Sequence, residues 1–273
     1  MISDVEGDSP RARLEQTCRA LIEADWARPD GPIRFDDRMA VGDLAGSEFF
    51  HNARLLLQTI AEAGEVQATP KGNLKRDLVS ELLPQLRLNP LLRRSHEDEG
   101  RVTDEPQIAA LHLPRVVAEL AGLLRRRTGK FTVTRQGLAL LTDECAGALY
   151  RTLFLNFFRK LNLAYAAQFS DLPEFQESMA VTLWRLDDVA RGWQPAGELA
   201  PLVLLPAVLR SVEAVCAGGF HTPGELLISF VLTPLLKFGL IQRASGDEWP
   251  RITEQERLRL APLWRKFISF HVH

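Results

Sequence analysis

The stretch from about Asp143 to Leu172 limits what this chain can fold into more than any other. It carries Tyr150, Phe154, Phe157, Phe158, Leu161, Tyr165 and Phe169 at spacings mainly of three and four, the period of a helix. So many aromatic rings on a helix cannot face water, so the segment is expected as a strongly buried helix that other elements must surround. The rest of the chain supplies helices to do so. Segments 11–26, 47–63, 71–83, 105 or 107 to 124, 202–217 and 222–236 all read as helices by their 3-to-4 spacing, and a further helix is expected from Glu254 onward. Ser9 and Pro10 form a start signal, Gly64 a stop, and Pro114 predicts a kink or split inside its helix. The period changes only near 123–134, where Phe131 and Val133 alternate with Thr132 and Thr134. Two short strands around a turn at Thr128-Gly129 are expected there. The expected class is mainly α.

Composition narrows the function. The 273 residues suggest about two domains, and 46% apolar residues are enough for a sizeable core. Thirty-three Lys plus Arg against 35 Asp plus Glu, net −2, exclude a uniformly basic coat for nucleic acid; any such binding needs a local patch. The longest greasy segment, Leu199 to Leu209, is short and broken by Pro201 and Pro206, so no membrane partner is expected. The acidic start, Met1 to Asp8, lacks the pattern of a secretion signal. Cys18, Cys145 and Cys216 are odd in number and far apart, which fits neither a disulfide framework nor a zinc site and predicts a cytoplasmic protein.

No nucleophile elbow, phosphate loop, dinucleotide fingerprint or His-Glu-x-x-His helix occurs. No catalytic residue, metal ligand or cofactor is therefore nominated, and the chain is not expected to be an enzyme. His96-Glu97-Asp98-Glu99 reads as a charged loop. Asp36-Asp37 and Asp187-Asp188 lack identifiable mates, and His112 reads as a satisfied, semi-buried side chain.

Two blocks share the order helix, turn, helix, short hairpin, helix. The clearer one runs Gly122-Leu123-Leu124-Arg125-Arg126-Arg127-Thr128-Gly129-Lys130-Phe131-Thr132-Val133-Thr134-Arg135-Gln136-Gly137 and on to Leu141. A fainter copy runs from Phe238-Gly239-Leu240-Ile241 to Ile252-Thr253-Glu254. This order resembles winged helix-turn-helix proteins, over about 47–141 and 202–260. The resemblance implies two winged-helix-like modules, 46–142 and 201–273, joined by an aromatic-rich helical region, 143–200, and preceded by a helix and connector, 1–45. It also implies that the second helix of the pair faces DNA while the hairpin, or wing, reaches along the backbone.

Charge placement gives that implication named residues. Between Leu123 and Gly137 lie Arg125, Arg126, Arg127, Lys130 and Arg135 and no acid, a group suited to phosphates. Lys71, Asn73, Lys75 and Arg76 open the candidate recognition helix, although Asp77 and Glu81 share its polar side. The corresponding helix of the second module, Thr222 to Leu236, has no basic residue, and its hairpin holds Asp247 and Glu248. Apolar nearly all round, it is expected either inside the chain or against a partner, with Phe267, Ile268 and Phe270 contributing to a homodimer in the second case. The leading expectation is a protein that binds double-stranded DNA, of transcriptional-regulator type. One alternative is a protein-interaction or scaffold protein that uses winged helices without nucleic acid. Another is a helical small-molecule sensor with a cavity around Phe154, Phe158 and Tyr165.

Overall fold

Ser9 and Pro10 start the first helix as expected: Ser9 Oγ accepts from the Ala12 N–H at 3.1 Å, and α1 spans Pro10–Ile22. The computed structural model describes residues 9–89, 104–245 and 251–272. After α1 the connector contributes a strand, β1 (Ile33–Phe35). Its antiparallel partner is β8 (Ile268–Phe270), with Ile33 opposite Phe270 and Phe35 opposite Ile268, so the two ends of the described chain are tied together.

The next elements are α2 (Glu48–Ala63), β2 (Val66–Gln67), α3 (Arg76–Leu82), α4 (Ala109–Leu120), β3 (Leu124–Arg127), β4 (Lys130–Val133) and α5 (Arg135–Leu140). Ser47 caps α2, its Oγ accepting from Phe50 N–H at 3.2 Å. The three strands form one antiparallel sheet in the order β2–β4–β3. Pro114 lies within α4 without ending it.

The expected single helix over 143–172 is instead two, α6 (Ala146–Arg159) and α7 (Leu163–Ala167), and a third, α8 (Pro173–Glu177), follows directly after it. Asn162 interrupts the run, because its side chain accepts from the Ala164 N–H at 2.8 Å and so starts a new helix. Gln168, at φ 54°, then ends α7 in the left-handed region.

A second series follows: α9 (Met179–Val189), β5 (Gln194–Pro195), α10 (Ala200–Val203), α11 (Pro206–Cys216), α12 (Pro223–Leu227), α13 (Thr233–Lys237), β6 (Ile241–Arg243), β7 (Arg257–Leu260) and α14 (Pro262–Phe267). A π turn, Ile228–Leu232, links α12 to α13. Pro234 explains it, since its ring crowds the carbonyl one turn earlier and a wider turn relieves the contact. The chain after Glu254 is thus a strand before it is a helix, because Arg257, Leu258, Arg259 and Leu260 alternate in burial as a pleat requires. Strand order in this sheet is β5–β7–β6, so its first strand comes from within the expected bridging region.

The two series match in sheet order and in how their long helices stop. Gly122 (φ 70°) and Gly239 (φ 74°) each follow such a helix. Gly122 N–H donates to Glu119 O and Leu123 N–H to Ala118 O; Gly239 N–H donates to Leu236 O and Leu240 N–H to Leu235 O. Both are the paired bonds of a Schellman stop. Between the two series lies an aromatic core centred on α6. Phe154 packs on Phe158 (ring centroids 4.6 Å), Phe267 (5.0 Å) and Phe238 (5.3 Å), while Phe49 of α2 stacks on Phe238 at 4.5 Å. Tyr150 donates its hydroxyl to Phe238 O at 2.8 Å. Among the described residues no helix is long and apolar enough to cross a membrane.

Candidate nucleic-acid interface

Strand alternation sorts the basic residues of the first hairpin. In register, Leu124 faces Val133, Arg125 faces Thr132, Arg126 faces Phe131 and Arg127 faces Lys130. Phe131 is fully buried, so Leu124, Arg126, Phe131 and Val133 share the inner face. Arg125, Arg127, Lys130 and Thr132 share the outer one. The strands join through Thr128 (φ 48°) and Gly129 (φ 72°), two left-handed residues, as a tight two-residue hairpin demands.

The five hairpin residues then differ in their partners. Arg125, Arg127 and Arg135 are exposed and their side chains make no ion pair with a described residue. Lys130 is paired with Glu65. Arg126 points inward: its Nε is 3.9 Å from Glu119 Oε1, and its guanidinium lies over Gly72 so closely that a Cβ there would fall 1.4 Å from Nη1. That contact sets the turn around Thr69 to Asn73, and with it exposed Lys71, beside the hairpin.

The candidate recognition helix fares differently. Arg76 is engaged by Asp104, Nε to Oδ1 at 2.8 Å, which holds the Asp104 carboxyl below its usual range. Asn73 is half-buried, its N–H given to Thr69 Oγ1 at 3.0 Å. Lys75 is exposed at the start of α3, which has only seven residues and carries Asp77 in its first turn. It is α4, not α3, that precedes the hairpin, and α4 is sealed: Ala110 to Arg115, Val117 and Ala118 are all buried as it packs on α2 and α6. Neither helix offers a long exposed basic face. The second series offers less. Leu226, Leu227, Ile228, Phe230, Val231, Leu232 and Leu235 are buried within the chain, as are Phe267 and Ile268, so the intramolecular reading of that helix is the one observed. Its hairpin acids, Asp247 and Glu248, lie outside the described residues, as does the charged loop at His96 to Glu99.

A polar network beneath the hairpin was not anticipated. Glu105, fully buried, accepts from Arg115 Nε at 2.6 Å, from the His112 Nδ1 side at 2.7 Å and from the Leu74 N–H. Burial pushes its carboxyl up. The His112 hydrogen bond, the Arg115 charge and the Leu74 N–H together outweigh burial and hold it below the usual value. His112 Nε2 meets the Tyr165 hydroxyl of α7, and Arg115 also pairs with Glu119. The sequence signal was present in part: His112, Arg115 and Glu119 fall on one stripe of an otherwise apolar helix. Nothing in the sequence pointed to Tyr165 as their partner. Of the residues named for a cavity, Tyr165 is 52% exposed with its ring against His112, while Phe154 and Phe158 are buried and pack on each other at 4.6 Å. Among the described residues no cluster of His, Cys, Asp or Glu is arranged to hold a metal.

Residues 45–146 match a family model described as the Y4jL N-terminal domain, a span that runs from just before α2 to the first residue of α6. No curated protein and no solved structure matches the chain.

Proposed function

We propose that this is a cytoplasmic protein with two winged-helix modules that binds the backbone of double-stranded DNA through its first hairpin. The winged-helix assignment draws support from the order helix, strand, helix, helix, hairpin and the strand order β2–β4–β3, repeated as β5–β7–β6. One observation carries the DNA reading: Arg125, Arg127 and Arg135 lie exposed, without a carboxylate partner among the described residues, and Arg125 and Arg127 share one strand face. Lys71 adds a charge beside them. The helices do not read bases in this scheme, because α4 is sealed and Arg76 is engaged by Asp104. Binding is then indifferent to sequence and steep in salt, since each phosphate contact releases counterions.

Fluorescence anisotropy with two unrelated duplexes at two salt concentrations tests this. Similar affinities for both, falling with salt at a log–log slope of about −2 to −3 for two or three phosphate contacts, are expected. Replacing Arg125, Arg127 and Arg135 together by Ala should flatten that slope for both duplexes alike. Failure to bind any duplex at low salt removes the reading.

A second reading rests on a different surface. Leu14 and Ile22 of α1 stand 44% and 40% exposed beside Cys18, Leu205 and Pro206, forming an apolar groove of about 590 Å³. A protein-interaction role would use such a groove. Loss of partner capture on Leu14→Asp, with DNA binding unchanged, would favour it over the hairpin.

A further inference from the structure

The network under the hairpin fixes proton positions. Glu105 is ionised and can only accept, so the His112 nitrogen facing it, Nδ1, carries the ring proton. A neutral imidazole protonated at Nδ1 presents a lone pair at Nε2, and among the described residues the group that meets it is the Tyr165 hydroxyl. The phenol therefore donates to His112. The result is a buried carboxylate, a buried imidazole and the hydroxyl of an exposed tyrosine in series, the order that activates hydroxyl nucleophiles elsewhere. The charged groups packed against the imidazole are Glu105 and Arg115, whose Nη2 is 3.4 Å from His112 Nδ1, with Glu119 paired to Arg115 behind them.

We propose that Tyr165 is a covalent acceptor for activated acyl groups, with His112 as its base and Glu105 as the residue that positions the imidazole. In the reaction the phenolic oxygen bonds to the acyl carbon as the bond from that carbon to the leaving group breaks. The phenolic proton passes to His112 Nε2 and from there to the departing group, so no oxidant or reductant is needed. An acyl donor is favoured over a phosphoryl donor because the accepting helix, Leu163–Ala167, is Leu-Ala-Tyr-Ala-Ala and bears no cation, while Arg115 is sealed below it.

The chain is well suited to a test, having two tyrosines, of which Tyr150 is fully buried with its hydroxyl bonded to Phe238 O. Acetylation of the full chain by N-acetylimidazole, followed by peptide mass spectrometry, thus reads Tyr165. Labelling about 100-fold faster than of N-acetyltyrosinamide at pH 7 is expected, with a rate that levels off once the imidazole is neutral. His112→Gln keeps a polar side chain but has no basic nitrogen, and should drop labelling to the rate of the free amide. A wild-type rate equal to that of the amide, a rate rising tenfold per pH unit to pH 9 without a plateau, or undiminished labelling of His112→Gln would each overturn the proposal. If His112→Gln does not fold, the wild-type pH profile decides alone.

Discussion

On β3 the pleat sends Arg125 and Arg127 to solvent and Arg126 onto Gly72, so three adjacent arginines have two different chemistries. Glu105 shows the same dependence on position, and its effect can be measured. Its folded carboxyl titrates below the unfolded value of about 4.3, so its stabilisation is complete above that value and is lost as pH falls through the lower folded one. Glu105→Gln should cost about 2 kcal/mol at pH 7 through weakened bonds to Arg115, His112 and Leu74. It should also reduce the loss of stability between pH 5 and pH 3, read as urea midpoints; an unchanged acid profile would show that the network does not carry that dependence. The two helix-stop glycines give a paired comparison. Gly122→Ala meets little beyond its left-handed backbone and should cost about 1 kcal/mol. At Gly239 an added Cβ would also lie 3.0 Å from the carbonyl of Gly46, so Gly239→Ala should cost about 2 to 3 kcal/mol.

At the scale of elements, the hairpin was legible because its alternation, its Thr-Gly turn and the preceding glycine all point the same way. Its turn is not optimised, however. Thr128 is β-branched yet sits at φ 48°, where Asn is better tolerated. Thr128→Asn should therefore raise stability by about 0.5 kcal/mol despite losing the Thr128 hydroxyl bond to Arg127 O, and a lower melting temperature would refute this. Other elements could not be read in advance. β1, β2, β5 and β8 are two or three residues long, too short for a period to show, and exist because a distant strand pairs with them. The break after Arg159 was hidden because the aromatic spacing continues across it, while the Asn162 cap is one residue's local bond. The burial of α4 was not legible either: Lys71 and Lys75 before α3 drew attention, whereas α4, nearer the hairpin, is distinguished only by what covers it.

For the whole molecule, the repeated order of elements suggests two independent bodies, but the packing argues for one. The span matching the Y4jL N-terminal domain, 45–146, contains Phe49 and Phe50, each at most 3% exposed. Phe49 owes its burial to Phe238 and Phe157, and Phe50 packs on Tyr150, all beyond residue 146. Cutting there would return two phenylalanines to water at about 2 kcal/mol each, a large share of the margin of a domain this size. Fragment 45–146 should accordingly bind a hydrophobic dye and melt without a sharp transition. The full chain should unfold once, with circular dichroism and tryptophan fluorescence coincident, since Trp26 stacks over Phe154 while Trp264 lies buried in α14 beside Phe267. A cooperative transition in the fragment, or two separated transitions in the full chain, would mean that the aromatic core joins two bodies already stable alone.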